Sequence, residues 1–296
     1  MLSVCIPVFN YNITPLVHKL MYQAKENNLD VEILIMDDGS EDRYKNTNRK
    51  LLSIPEVKYI ELKKNLGSAA IRNRLAREAT HNQILFLDSD SDIADDFIAT
   101  YIPCLSADLS IIYGGRVHPK HLPSADKSLR WKVGKAKEDH SAALRSRVPN
   151  KSFMSNNFLV KKELFKTVRF DETIQRSGHE DTMFGMELEK KGIQIIHIDN
   201  PVVHIGLESN EEFIRKTEQR LETLKFLTKR NKDKKLMEKR IRILKYHYLL
   251  HKYKLSGLYK SLFRVFGKRL EKCLYAKNPS MLVYDMYKLG YYNNLD

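Results

Sequence analysis

Asp88-Ser89-Asp90 sets two carboxylates two residues apart, directly after the apolar run 83–87. At a bend leaving a strand, both can face one cavity. Hard oxygen donors of this kind suit Mg²⁺ or Mn²⁺, which can bridge the two phosphates of a nucleoside diphosphate and neutralise charge on it as a leaving group. Acidic pairs are also common in loops, and Asp92, Asp95 and Asp96 could be solvated or cap the next helix. Other segments carry polar groups in similar settings. Asp37-Asp38-Gly39-Ser40 closes the apolar run 31–36. A carboxylate there can accept from a base N–H or a ribose hydroxyl while Gly39 turns tightly; equally, Ser40 or Asp42 can cap a helix. Asn65-Leu66-Gly67-Ser68 leads into a helical run bearing Arg72, Arg74 and Arg77. These could meet phosphate at a helix N-terminus or form a solvated face. Glu180-Asp181 opens another helical run, where two acids complement the helix dipole. His204 near a strand end, like His197, is of a kind that usually serves structure.

These groups need elements to hold them. The first part of the chain alternates strand-like and helix-like runs, which predicts a mostly parallel sheet covered by helices. Strands are expected at 3–9, 31–36, 58–62 and 83–87. Thr14-Pro15 reads as an N-cap followed by proline at the first helical position. Leu16, Leu20, Met21 and Ala24 then keep helical spacing, and a second helix begins at Ser68. Ligands bind beyond the carboxyl ends of strands in such sheets. Asn10, Asp37-Asp38, Asn65 and Asp88-Asp90 all fall there. Further strands are expected at 108–113, 153–160, 193–198 and 202–205, with helices at 162–167 and 180–191, the latter closed by Gly192. Residues 116–150, polar, basic and containing Trp131, read as a loop or helical excursion over a cleft. Beyond Glu208 the chain turns helical and charged. One amphipathic helix is expected through Phe213, Leu221, Leu224, Phe226 and Leu227, a second at 236–250, and shorter ones at 258–270 and 281–289.

With 296 residues, 42% of them apolar and 30% charged, the chain has the composition of a soluble globular protein. No run approaches the roughly 18 apolar residues that span a bilayer, and the N-terminus lacks the features of a secretory signal. A cytoplasmic location is expected. Cys5, Cys104 and Cys273 are odd in number and widely spaced, which predicts reduced, partly buried thiols without a disulfide framework or zinc. The net charge of +14 is uneven: residues 207–296 hold 22 Lys/Arg against 10 Asp/Glu. Any polyanion or membrane-surface contact belongs to that segment.

Taken together, SVCIPVFN, VEILIMDDGSED, NLGSAAIRN and ILFLDSDSD closely resemble, in order and spacing, the nucleotide-binding half of family 2 glycosyltransferases of the GT-A fold. The resemblance runs from Leu2 to about residue 205. It implies an α/β, Rossmann-like mixed and mostly parallel sheet flanked by helices, with a C-terminal helical extension. The expected domains are a catalytic region at 1–207, with a nucleotide-sugar half at 1–115 and an acceptor half at 116–207, then a basic helical region at 208–296. It implies that Pro7, Asn10, Asp38, Asn65, Gly67 and Arg72 line the nucleotide pocket. Asp88 and Asp90 would form the metal and diphosphate motif, with Asp90 the direct contact to Mn²⁺ or Mg²⁺ and Asp88 nearer the ribose. Ser91 departs from the pattern, since a third Asp often stands there; either Asp92 compensates or the third acid is not needed. GHEDTMFGMELEKKG resembles the segment whose Asp is the general base of inverting members, which assigns that role to Asp181 and either acceptor orientation or support of Asp181 to Glu180. His204 would complete the metal shell, and Asn156 and Asn157 would sit near the acceptor.

By the same resemblance the donor is a nucleotide-diphosphate sugar, with UDP the commonest base, and the acceptor a glycan or lipid-linked hydroxyl of cell-surface polysaccharide synthesis. The basic tail, with interleaved aromatics such as Tyr246 and Phe263, suits a lipid surface, nucleic acid or a helical bundle packed with its Lys and Arg outward. Because similar enzymes often act on lipid-linked acceptors, the resemblance favours peripheral attachment to anionic lipid, at the inner face of the plasma membrane, over nucleic acid. Two other readings stand beside this one. A sugar nucleotidyltransferase also has such a sheet and a metal, but its first strand usually ends in a Gly-rich phosphate loop, and Pro7-Val8-Phe9-Asn10 has no glycine. A non-catalytic protein could use the basic tail on membrane or nucleic acid.

Overall fold

In the computed structural model, which describes all residues except 107–108, 176–177, 232 and 296, the chain begins with β1 (Leu2–Val8), α1 (Thr14–Glu26), β2 (Val31–Asp37), α2 (Asp42–Asn48), β3 (Val57–Glu61), α3 (Ser68–Glu78) and β4 (Gln83–Leu87). It continues with β5 (Ser91–Asp92), α4 (Phe97–Leu105), β6 (Ile111–Tyr113), β7 (Arg116–Val117), α5 (Ser128–Lys137), α6 (Ala142–Arg145), β8 (Asn157–Lys161), α7 (Leu164–Thr167), α8 (Glu180–Lys190), β9 (Ile196–His197) and β10 (Val202–His204). Five helices follow: α9 (Asn210–Arg230), α10 (Lys234–Arg240), α11 (Arg242–Lys252), α12 (Ser256–Leu274) and α13 (Met281–Asn294).

These elements form two compact units. The first comprises Met1–His118, Asp139–Gln175 and Glu180–Gly206; the second comprises Pro119–Glu138, the residues just before Glu180, and the chain from Leu207 onward.

The first unit is built on a seven-stranded sheet in the order β3-β2-β1-β4-β8-β6-β9. β3, β2, β1 and β4 are mutually parallel, β8 runs against β4 and β6, and β9 is parallel to β6. The sheet is therefore mixed and mostly parallel, as the motif order implied. β2 is buried along its whole length, as a parallel strand covered on both faces must be. Val4, Ile6 and Val8 face the layer holding α1 and α4, while Cys5 faces the layer holding α3 and α8. The chain reverses direction across the sheet between β1 and β4, so a crevice opens beyond their carboxyl ends. A second sheet of three short strands, β5-β10-β7, lies off that edge.

In the second unit Leu129 and Val133 of α5 pack with Phe213 and Ile214 of α9, Leu274 of α12, and Tyr284 and Tyr287 of α13. Arg130 lies beneath them, bidentate to Glu138 at 2.9 and 3.0 Å and over the Phe213 ring at 5.4 Å.

Several local expectations differ from what is found. Thr14 is the first helical residue rather than the cap: the cap is Ile13, which contributes no side-chain hydrogen bond, and Asn12 Oδ1 accepts from the Thr14 N–H at 3.1 Å. The strand expected at 108–113 is found at Ile111–Tyr113; Asp108 lies outside the described residues. Residues 116–150 hold α5 and α6, and Trp131 sits on α5 with its indole N–H donating to Pro119 O at 2.8 Å. The helix expected at 236–250 is broken at Ile241 (φ −114°, ψ 100°), an extended residue that buries its side chain. Phe226 is 48% exposed, because Leu224 and Leu227 already occupy the buried face of α9 and 226 is out of phase. Cys273 is an exposed thiol, unlike buried Cys5.

Candidate active site

The loops leaving β1, β2 and β3 are tied to one another at the carboxyl edge. Asn10 adopts φ +51°; its N–H donates to Ser40 Oγ at 2.8 Å and its Oδ1 accepts from Glu41 N–H at 2.8 Å. Asp38 accepts from Leu66 N–H at 2.7 Å and Gly67 N–H at 3.1 Å, so its carboxylate anchors the loop entering α3. Burial holds the Asp38 carboxyl above its ordinary value, against the two N–H donors. Asn65 Oδ1 also accepts from Gly67 N–H, at 3.0 Å. Gly67 turns at φ +85°, and a Cβ there would stand 3.0 Å from Gln175 O, so only glycine fits without strain. Pro7 is half-buried on β1 opposite Met36, beneath this edge.

Asp88, just past β4, is gripped from two sides. Its Oδ1 accepts from Arg72 Nη2 at 2.5 Å and its Oδ2 from Arg116 Nη2 at 3.1 Å. Arg72 is buried on α3, with Nη1 donating to Ser68 O at 3.0 Å and its Nε–H left without a partner. One carboxylate thus orients two guanidiniums at the same edge, side chains whose planar fork suits a phosphate.

Asp90 belongs to the edge formed by the short sheet. β10 pairs antiparallel with β5, setting His204 opposite Ser91, and parallel with β7, setting Val203 opposite Val117. This register brings His204 Nε2 to 2.9 Å from Asp90 Oδ2. His204 Nδ1 lies 3.5 Å from His118 Nε2, and His118 Nδ1 lies 2.6 Å from Asp139 Oδ1. Gly206 completes the corner: a Cβ there would stand 2.6 Å from Asp90 Oδ2. Asp92, at the position considered as a substitute acid, has its Oδ1 at 2.5 Å from Lys19 Nζ and is exposed to solvent. Among the described residues no group of three or more His, Cys, Asp or Glu is placed to hold a metal ion. The Asp90–His204 pair offers a carboxylate oxygen and an imidazole nitrogen. By its chemistry that donor set would fit Mn²⁺.

Glu180 and Asp181 start α8, where they complement the helix dipole. The helix is pinned by its aromatic face. Phe184 stacks on Phe170 at 4.2 Å and tilts against Phe153 at 5.6 Å; an aromatic pair of this kind adds about 1 kcal/mol beyond area burial. A Cβ on Gly185 would stand 2.4 Å from Asn150 O, so the helix can lie this close only with glycine there. Glu180 Oε1 accepts from Ser68 Oγ at 2.8 Å, linking the first turns of α8 and α3. Asp181 Oδ1 is shielded from solvent and has no hydrogen-bond partner. Burial, reinforced by the Glu180 charge, pushes the Asp181 carboxyl up to about 6; Arg72 and a hydrogen bond from Ser155 oppose this, and Asp88 adds to it. Asp181 therefore shares one electrostatic environment with the Arg72–Asp88 pair.

The two candidate acceptor residues differ. Asn157 is fully buried and saturated: Oδ1 accepts from Tyr101 OH at 2.7 Å, and Nδ2 donates to Gly115 O at 3.0 Å and Asn200 O at 2.8 Å. It ties α4 to the segments after β6 and before β10 and has nothing left for an acceptor. Asn156 accepts from Tyr113 OH at 3.3 Å, and its buried Nδ2 lacks a partner. His197 packs into the core, where Arg145 Nε donates to its Nδ1 at 3.2 Å, and burial lowers its pKa. Arg116, His118, Asp139 and Ser155 were not singled out in the sequence. The signal available for Arg116 was its place after Gly114-Gly115 at a strand end; the others carry none.

The model of the family described as glycosyl transferase family 2 matches residues 3–169. The chondroitin synthase of Escherichia coli is 24% identical over 236 residues, which cover 69% of this chain and 34% of that protein; the chain thus spans about a third of this relative's length. Among solved structures, the mannosyltransferase PcManGT from Pyrobaculum calidifontis, in complex with GDP-Man and Mn²⁺, is similar with a TM-score of 0.58 at 15% identity, over 99% of this chain and 84% of that one. S. aureus TarS 1-349 in complex with UDP-GlcNAc gives a TM-score of 0.51 at 17% identity, over 98% and 90%. At these identities the structural likenesses show a shared GT-A fold.

Proposed function

The chain belongs to glycosyl transferase family 2, and from that premise we propose that it moves a sugar from a nucleotide-diphosphate donor, a UDP-sugar, to a hydroxyl of a glycan or lipid-linked acceptor, with inversion, in cell-surface polysaccharide synthesis. The division of labour follows the sequence: residues 1–115 hold the donor, 116–207 the acceptor, and 208–296 form a basic helical region. Pro7, Asn10, Asp38, Asn65 and Gly67 shape the edge that receives the nucleoside. Asp88 sits near the ribose and sets the two guanidiniums against the diphosphate. Asp90 and His204 would hold Mn²⁺ or Mg²⁺. When bound, the cation supplies Lewis-acid stabilisation of charge developing on the departing diphosphate.

The observation that carries this reading is the state of Asp181. A carboxylate with an unpartnered, shielded oxygen and a pKa near 6 is still largely ionised at neutral pH, and it is more basic than an ordinary Asp. As the acceptor hydroxyl attacks the anomeric carbon, a carbon–oxygen bond forms there and the bond to the diphosphate oxygen breaks. The hydroxyl proton passes to Asp181, and the electron pair leaves with the nucleoside diphosphate, received by Arg72 and Arg116. Asn156 Nδ2 is the free donor beside the acceptor. Glu180, held by Ser68, fixes the first turn of α8. An assay of nucleoside diphosphate release across UDP- and GDP-sugars with Mn²⁺ tests the reading; no release from any donor, with or without candidate glycan acceptors, would sink it.

A membrane partner completes the proposal. No helix among the described residues is long and apolar enough to cross a membrane. On α12, however, Leu258, Leu262, Val265 and Phe266 are 44–72% exposed and recur at helical spacing. Arg264, Lys268 and Lys272, also exposed, lie along one flank of that stripe. Apolar side chains bordered by cations suit an anionic lipid surface.

A further inference from the structure

We propose that the second unit carries a saccharide-binding pocket between α9, α12 and α13, built from none of the residues assigned to donor, metal or base, which holds a neutral stretch of the glycan acceptor. Only the source of the saccharide rests on the proposed function; the pocket stands on its own lining.

The cavity measures about 400 Å³, within the roughly 300–1,000 Å³ of small-molecule sites. Two glycines keep it open, although glycine inside a helix costs about 1 kcal/mol relative to alanine. Gly267 lies in mid-α12 and gives the cavity a stretch of bare backbone. A Cβ on Gly290 of α13 would overlap the Phe263 ring, so that ring reaches its place in the lining only with glycine there. Tyr287 and Tyr291, one turn apart on α13, form a wall, with ring centroids 6.5 Å apart and planes 26° from parallel. Both hydroxyls are tethered to α9: Tyr287 donates to Glu218 Oε1 at 2.6 Å and Tyr291 to Glu222 Oε1 at 3.0 Å. The rings are thus held in place before a ligand arrives, which lowers the entropy cost of binding.

The polar lining decides the ligand class. Glu218 and Glu271 supply two carboxylates. Each accepts from one tyrosine with Oε1, Glu271 from Tyr275 OH at 2.5 Å. A carboxylate has about four lone-pair sites, so both keep acceptor capacity. Burial raises the Glu218 carboxyl, against the Tyr287 hydroxyl, and the Glu271 and Glu222 charges add to the rise; a further hydroxyl donor there is favourable. Arg264 and Lys268 are the exposed cations of the lining. The two charges of each sign balance. An anion would meet the carboxylates, a cation would meet Arg264 and Lys268, and an apolar ligand would desolvate all four without pairing them. A neutral saccharide meets none of these costs. Its hydroxyls donate to carboxylates and accept from cations, and its C–H faces suit the electronegative faces of aromatic rings.

The test uses the 296-residue chain, read by calorimetry and saturation-transfer NMR. The probes are neutral hexasaccharides of N-acetylglucosamine, glucose and mannose, with a chondroitin hexasaccharide as the anionic arm. The native chain should bind at least one neutral probe more tightly than the anionic one, with saturation strongest on ring C–H protons. Gly267→Leu, which fills the cavity, Tyr291→Ala, which removes half of the wall, and Glu271→Gln should each weaken that binding about tenfold. UDP affinity with Mn²⁺ should stay within about twofold in all three. No neutral probe bound, tighter binding of the anionic arm, or unchanged affinity in the three variants overturns the proposal. Binding that Asn156→Ala abolishes and Gly267→Leu leaves intact belongs to the acceptor site beside Asp181, and overturns it equally. Saccharide binding that fails while UDP still binds removes the pocket and leaves the transferase reading standing. Absence of UDP binding in the native chain sinks that reading and not the pocket. Should Gly267→Leu not fold, Tyr291→Ala and Glu271→Gln decide.

Discussion

His204 Nε2 lies 2.9 Å from Asp90 Oδ2, across 114 residues of sequence, because β10 runs antiparallel to the two-residue strand that follows Asp90. The corner has no spare room, since Gly206 backs directly onto the Asp90 carboxylate. Gly206→Ala should push Asp90 away from His204 and weaken Mn²⁺ binding at least tenfold, about 1.4 kcal/mol, while the fold persists. Calorimetry with Mn²⁺ and UDP measures this; unchanged affinity would mean the pair is not a ligand set.

Asp181 makes the reaction sensitive to acid. With its carboxyl near 6, transfer should fall about tenfold per pH unit below that value, as the base becomes protonated. Asp181→Asn should keep donor affinity within about twofold and lower kcat by roughly 10²–10⁴. The stability effect has the opposite sign to that of a salt-bridged acid. A folded-state pKa raised above the unfolded value means the native protein binds the proton more tightly, so this group's contribution falls as pH rises from about 4 to about 6. Above pH 6 the asparagine variant should therefore melt at or above the native temperature. A lower melting point with unchanged kcat would contradict the assignment.

Arg116 shares Asp88 with Arg72. Arg116→Met should leave the Arg72–Asp88 ion pair in place and weaken UDP binding about tenfold or more, with a flatter dependence on salt because one phosphate-facing charge is gone. Salt-dependent titration reads both quantities. Equal affinity and equal slope would place the arginine outside the diphosphate site.

The exposed stripe of α12 makes its own prediction. The 296-residue chain should sediment with vesicles of phosphatidylcholine and phosphatidylserine, and not with phosphatidylcholine alone. Val265→Glu with Lys268→Glu should lose most of that binding. Equal sedimentation of both proteins would remove lipid contact by this face. A concentration-dependent dimer that the variant abolishes would assign the stripe to a second copy instead.

The four strand-end motifs were legible because each pairs a short apolar run with polar groups at a carboxyl end, and parallel topology gathers such ends at one edge. Asp88, Asp90 and Arg72 could be read in that way. Arg116, His118 and Asp139 could not. They lie on or beside a two-residue strand whose place is set by pairing with β10, and two residues carry no periodicity. Asn157 illustrates the opposite difficulty. Its type suggested acceptor binding, yet only the tertiary structure reveals that Tyr101, Gly115 and Asn200 use its whole amide. The break at Ile241 was equally hidden, since heptad-like spacing continues through it while the backbone does not.

The central claim is that a nucleotide-diphosphate sugar binds this chain together with a divalent cation held by Asp90. Calorimetric titration of UDP and GDP sugars into the native protein and into Asp90→Ala, each with and without Mn²⁺, tests it most directly. The account predicts donor binding that Mn²⁺ strengthens in the native protein and fails to strengthen in the variant. Binding that ignores both the metal and the substitution would contradict it.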